Sequence, residues 1–280
     1  CMPSNRKKVP TTNHHPSGYN SISMMGALSS RENQQDGKIN RIMVIIAMQA
    51  EAQPLIDCLG LTEQSSVFSG PLPAKCFSGL VDGCNVDVVV NGQDPKFGND
   101  SVGTVCAALT TYEGLKTLSP DLLINAGTAG GFRRKGAEIG DIFLGTECKN
   151  HDRRTPILSR TEWATGAYDC VSTAKIQKEL GFKCGIVTTG NSLDHEPKDD
   201  ELMLENDASV KDMEAAAIAS TAALFETPFF AVKSVTDIVD GNVPTHEEFL
   251  ENLSAAARSL QEAIPRIISF VVQKSSAKDL

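Results

Sequence analysis

The chain has 280 residues, 41% of them hydrophobic, which is enough for the core of one large α/β unit. Its formal net charge of −9 is spread along the sequence and not gathered into basic clusters, so the footprint of a nucleic-acid partner is missing. Eight cysteines are scattered without a CxxC pair, which argues against a zinc or redox motif and for free thiols in a reducing, cytoplasmic compartment. No apolar run has the length of a membrane span, so no membrane partner is expected.

Residues 1–31 contain no Asp or Glu and are rich in Ser, Asn and Pro. A disordered tail is predicted over 1–39, a single folded domain over 40–275 and a short C-terminal tail over 276–280. Residues 41–47 (RIMVIIA) form a β-branched apolar run, the mark of a buried strand. Residues 51–59 follow with helical spacing of Ala52, Leu55 and Ile56. Strands are predicted over 67–69, 75–80 and 85–90, punctuated by Gly70, Pro73 and the Asp82-Gly83 turn. A loop over 91–99 leads to a helix over 100–118 that ends before Pro120. Residues 122–126 read as another buried strand running into a glycine-rich turn, and 142–145 as a strand. The polar stretch 149–167 holds the only tryptophan, Trp163. A helix over 171–180, a strand over 183–189 and a polar loop over 190–201 come next. An alanine-dominated helix over 213–225 precedes the last central strand, 229–235. Apolar residues at Phe249, Leu253, Leu260, Ile264, Ile267, Ile268 and Val271 predict a long amphipathic helix over 245–273, kinked at Pro265. This alternation predicts a three-layer αβα fold, a central mixed sheet flanked by helices. Sites in such folds lie at the carboxyl ends of strands.

Four segments at predicted strand or helix ends carry candidate chemistry. In Ala47-Met48-Gln49-Ala50-Glu51, Glu51 suits a general base toward water, though taken alone it reads better as a helix-start Glu favoured by the macrodipole. Asn125-Ala126-Gly127-Thr128-Ala129-Gly130-Gly131 lets backbone approach a ligand closely, and it is neither GxGxxG nor a Walker loop. In Val210-Lys211-Asp212-Met213-Glu214, a carboxylate can grip a vicinal diol, or Asp212 can cap the following helix. In Ser234-Val235-Thr236-Asp237-Ile238-Val239-Asp240-Gly241, Asp237 ends an apolar strand, where a charge is costly unless used or paired. A buried carboxyl there can donate a proton to a leaving group. His151, His195 and His246 lack metal-ligand spacing and are expected in loops or at the surface.

Together the segments AMQAE, NAGTAGG, DMEAAAIA and SVTDIVDG, in that order, resemble the nucleoside phosphorylase superfamily. Within it the match is best to the 5′-methylthioadenosine/S-adenosylhomocysteine nucleosidase group, its plant members in particular, over roughly residues 42–272. The resemblance implies a nucleoside phosphorylase-like fold, a homodimer, no cofactor or metal, and hydrolysis of 5′-methylthioadenosine to adenine and 5-methylthioribose in methionine salvage. It implies that Glu51 activates water, that Glu214 binds the ribose hydroxyls with Met213 under the sugar, and that Asp237 protonates adenine N7. Met48, Thr128, Ala129 and Gly130 would line the sugar and water side. Gly190-Asn191-Ser192-Leu193 would cover the base, and Phe249 would lie near the 5′ substituent. Thr128 and Thr236 stand where bacterial members have Ser, and Lys233 where they have an arginine near the water, which keeps the charge but changes its geometry. Leu193-Asp194 replaces two apolar residues of the bacterial loop, leaving acceptance of S-adenosylhomocysteine open. Two competing readings remain. One is a phosphorylase using Arg133 and Arg134, which lie just past the glycine segment; the other is a non-catalytic storage protein of the same fold.

Overall fold

The computed structural model describes residues 38–155, 157, 161–274 and 276–280. Of the predicted tail over 1–39, residues 1–37 lie outside the described residues, and Ile39 is buried in the core.

Strand β1 (Arg41–Ile46) is followed by α1 (Gln49–Leu59), β2 (Thr62–Glu63), β3 (Lys75–Val81), β4 (Cys84–Val90) and α2 (Thr104–Leu118). Next come β5 (Leu122–Gly131), β6 (Ile142–Asn150), α3 (Thr161–Thr165), β7 (Tyr168–Asp169), α4 (Ala174–Leu180) and β8 (Lys183–Thr189). The chain continues through α5 (Pro197–Glu205), β9 (Val210–Asp212), α6 (Ala215–Leu224), β10 (Phe229–Ile238) and α7 (Thr245–Val272).

The strands form one mixed sheet in the order β10-β6-β8-β9-β5-β1-β4-β3-β2, with β7 beside β6. Because β10 also pairs with β5, one half of the sheet closes on itself while the other half stays open. Strands β4, β1, β5 and β10 are mutually parallel, so their carboxyl ends emerge on one side.

Alternation along β1 explains the layers. Ile42, Val44 and Ile46 face a core shared with Ala52 and Leu55 of α1 and with Leu260, Ile264 and Ile267 of α7. Met43 and Ile45 face a second core with Ala107 and Leu115 of α2 and Ile218 of α6. The alanines of α6 are buried, which lets this helix pack closely on the sheet. Helix α7 runs through Pro265 as one 28-residue element.

Several sequence expectations need correction. Residues 67–69 are not a strand; the short partner of β3 is Thr62–Glu63 instead. The glycine-rich segment is not a turn but the second half of β5, held between β10 and β9. The polar loop 190–201 contains the start of α5, whose Glu196 and Asp199 form a reciprocal capping box. His151 is buried at 2% exposure, not at the surface, with Nδ1 3.2 Å from Thr188 Oγ1. Burial and the Lys211 charge hold its pKa below the usual histidine value.

Candidate active site

A cavity of about 270 Å³ opens at the carboxyl ends of β1, β5 and β10 and is closed on one side by β9. The first turn of α1 brings Glu51 to it. Glu51 is 3% exposed, and its Oε2 accepts a 3.3 Å hydrogen bond from the Met48 N–H. Its Oε1 accepts from both the N–H and the hydroxyl of Thr128, at 2.7 and 2.6 Å. Burial raises the Glu51 pKa, while these donors and the nearby Lys233 charge oppose the rise.

Lys233 lies inside β10 and is 1% exposed. Its ammonium is 2.8 Å from Asp212 Oδ2, in an ion pair whose side chains are 1% and 0% exposed. Asp212 is satisfied on every side: Oδ1 accepts from Thr189 Oγ1 at 2.6 Å, and Oδ2 also accepts from the Glu214 and Ala215 N–H groups at 3.2 and 2.8 Å. The capping alternative for Asp212 therefore describes what it does, and Glu214 is the carboxyl of this segment left for a ligand. Gly103, at φ +96, donates its N–H to Glu214 Oε1 at 2.8 Å. Burial first, and the Asp212 charge second, push the Glu214 pKa up to about 7.

On β10 the carboxyl of Asp237 is prepared differently. Oδ1 accepts from the Thr236 hydroxyl at 2.7 Å, whereas Oδ2 is buried and has no hydrogen-bond partner among the described residues. Burial raises its pKa, against the Thr236 hydrogen bond and the Lys211 charge. The neighbouring residue of β5 is Gly130, where a Cβ would stand 2.6 Å from Asp237 Oδ2. Any side chain at that position would press on this oxygen. Thr128, which holds Glu51, and Gly130, which faces Asp237, are two residues apart on β5, roughly 7 Å along the strand. One strand thus sets both carboxyls along the same cavity.

Met48, Glu51, Thr128, Ala129, Gly130, Leu193, Met213, Glu214, Lys233, Thr236, Asp237 and Phe249 all line the cavity. Asn191 does not. Its Oδ1 accepts from the Thr104 N–H and hydroxyl at 3.0 and 2.8 Å, and its own N–H and amide donate to Asp152 Oδ2, so it ties the base loop to the start of α2. Lys211, Asn125, Val102 and Thr245 line the cavity without having been singled out, and Asp212, read from the sequence as a cap, lines it too. Lys211, flanked by Val210 and Asp212, carried no signal of its own. Neither Arg133 nor Arg134 reaches the cavity. The Arg134 guanidinium lies over the Phe132 ring and bonds the carbonyls of Met203 and Ala208, and both backbone N–H groups donate to Asp240. Among the described residues no group of three or more His, Cys, Asp and Glu side chains is placed to hold a metal ion.

The family model described as the phosphorylase superfamily matches residues 41–269. The chain belongs to the phosphorylase superfamily. Its superfamily relatives include an Arabidopsis thaliana 5′-methylthioadenosine/S-adenosylhomocysteine nucleosidase, 45% identical over 84% of this chain and 93% of the other. An Arabidopsis thaliana 5′-methylthioadenosine nucleosidase is 44% identical over 83% and 88%. The solved structure of Arabidopsis thaliana 5′-methylthioadenosine nucleosidase in apo form superposes with a TM-score of 0.85 at 43% identity, covering 87% of this chain and all of the other. The fold, the central mixed sheet flanked by helices, is that of this superfamily.

Proposed function

We propose that this cavity hydrolyses the N-glycosidic bond of 5′-methylthioadenosine, releasing adenine and 5-methylthioribose in methionine salvage. The observation that carries the reading is the pair of unlike carboxyls: Glu51 held by three hydrogen bonds, Asp237 with one buried oxygen unpartnered. The two Arabidopsis relatives, named for action on this nucleoside, support the choice of substrate.

Adenine leaves poorly as an anion. Asp237, its pKa raised by burial, gives its proton to N7 of the base, and the C1′–N9 bond breaks with its electron pair going to adenine. The sugar is left with oxocarbenium character. Glu214 accepts hydrogen bonds from the ribose hydroxyls, with Met213 beneath the ring. A water attacks C1′ from the face opposite the base, and Glu51 takes its proton, giving inversion. Lys233, between Asp212 and the Glu51 carboxylate, balances the negative charge of this side. Thr128 and Thr236 supply the hydroxyls that orient the two carboxyls. No step calls for a cofactor. A carboxyl, Glu51, occupies the nucleophile side, and among the described residues no arginine lines the cavity, so phosphate is a poor nucleophile here.

A homodimer belongs to the same proposal. Val105, Leu109 and Tyr112 of α2 are exposed at helical spacing, beside exposed Val102 and Phe97, and a second copy would cover this stripe. Sedimentation at micromolar concentration checks it: a monomer would overturn this part. A cytoplasmic setting is proposed too; no described helix is long and apolar enough to cross a membrane. For the reaction, adenine is quantified chromatographically from methylthioadenosine and S-adenosylhomocysteine, with and without phosphate. Release of adenine from methylthioadenosine without phosphate is expected. Dependence on phosphate would favour a phosphorylase, and no turnover a storage or binding role.

A further inference from the structure

Lys211 sits on β9 directly across β5 from Asp237: the register pairs Lys211 with Gly130, and Gly130 with Asp237. Its side chain is almost fully enclosed, at 5% exposure. An ammonium has three N–H donors, and this one donates to three consecutive backbone carbonyls, Ser192 at 3.1 Å, Leu193 at 2.6 Å and Asp194 at 2.9 Å. Leu193 lines the cavity.

We infer that Lys211 is a positioning residue for the leaving base, fixing segment 192–194 as a rigid wall of the base side of the cavity. The inference rests on the nucleosidase reading for the identity of the base. Burying an ammonium is costly, and folding does not demand it here: carbonyls of a surface segment can be satisfied by water. The cost is offset if the segment must hold one conformation before the ligand arrives, because ordering it on binding would weaken affinity. All three donors are used on the segment, so none reaches Asp237 Oδ2, which keeps no hydrogen-bond partner among the described residues. The ammonium still acts on Asp237 through its charge. Asp237, Asp194, Asp199 and Asp212 all favour the charged lysine against its burial. Lys211 thereby separates two tasks, a hydrogen-bonding one toward the loop and an electrostatic one toward the acid.

The test compares wild type with Lys211→Met and Lys211→Gln in the full chain. Amide exchange across 192–196 is read without ligand, and the affinities for free adenine and for 5-methylthioribose are read by calorimetry. In Lys211→Met, exchange in this segment is expected to speed up at least about tenfold, and adenine to bind about tenfold more weakly. Binding of methylthioribose is expected to hold within about twofold, and KM to rise by a larger factor than kcat falls. Unchanged exchange with unchanged adenine affinity overturns the inference, and so does an equal loss for adenine and methylthioribose. If Lys211→Met does not fold, Lys211→Gln, with two donors and no charge, is read in the same way. Wild-type protein that neither binds nor releases adenine sinks the nucleosidase reading, while the exchange result still decides whether Lys211 holds the segment.

Discussion

Glu51, in the first turn of α1, accepts three hydrogen bonds, whereas Asp237, near the end of β10, accepts one and keeps its second oxygen unpartnered. Burial lifts the pKa of both. Hydrogen bonds from N–H and O–H groups favour the anion, so the proposed division into a base and an acid rests on the difference in donors, not on burial. Lys233 and Lys211 repeat the contrast. Lys233 is ion-paired to Asp212 beside Glu51, while Lys211 directs its donors away from Asp237 onto backbone carbonyls.

The most direct way to break this comparison is to remove each proton-transfer group in turn. Asp237→Asn and Glu51→Gln are each expected to lower kcat by roughly 10²- to 10⁴-fold with methylthioadenosine. The two variants should part company with a riboside whose leaving group needs no protonation, such as p-nitrophenolate. Asp237→Asn should recover most of its rate there, and Glu51→Gln should not. Equal recovery in both would mean the assignment of acid and base is wrong.

Next in size is the buried pair behind Glu51. Lys233→Met leaves Asp212 charged, unpaired and 0% exposed, a situation that costs about 3–5 kcal/mol in other buried pairs. Urea denaturation is expected to show a loss of that order. Adding Asp212→Asn should restore part of it, since the stranded charge disappears. A Lys233→Met variant as stable as wild type would remove the pair from the account.

Asp237 was conspicuous in the sequence because a charge at the end of an apolar strand needs a reason. Glu51 was not: a Glu in a first turn is common, and only the approach of Thr128 from β5 distinguishes this one. Strands β1, β5 and β10 and helices α1, α6 and α7 followed from apolar spacing, because one face of each is buried along its length. The second half of β5 looked like a turn since glycines dominate it, and its partners β9 and β10 lie about 80 to 100 residues away in sequence. Asn191 and Lys211 failed for the same reason. Their roles are set by Asp152, Thr104 and the 192–194 carbonyls, and no local pattern records those contacts.

A smaller effect sharpens the acid side alone. In Gly130→Ala the new Cβ would stand 2.6 Å from both Asp237 Oδ2 and Val239 Cγ2, so the carboxyl must shift. A kcat loss of about 10- to 100-fold is expected, with overpacking costing about 1–3 kcal/mol of stability. The rate loss should shrink with the p-nitrophenyl riboside, as for Asp237→Asn. If it does not, Gly130 serves the fold and not the acid.

Smallest in activity but clearest in sign is the pH dependence that Glu214 gives to stability. Its pKa moves from an ordinary 4.5 to about 7 on folding, through burial and the Asp212 charge. Between those values the native state binds more protons than the unfolded chain, so stability decreases with rising pH. The contribution is fully present below about pH 4.5 and is lost as pH passes 7. Glu51 and Asp237, both raised, push in the same direction. A carboxylate held in an ion pair, such as Asp199 with Arg154, has a lowered value and pushes the opposite way at lower pH. The thermal midpoint is therefore expected to decline between pH 5.5 and 7.5, a window set by the Glu214 shift, and Glu214→Gln should flatten that decline. Gln keeps an acceptor for the Gly103 N–H, so the comparison isolates charge from hydrogen bonding. A decline of the same slope in the variant would assign the dependence to Glu51 and Asp237, and leave Glu214 ionised in the empty cavity.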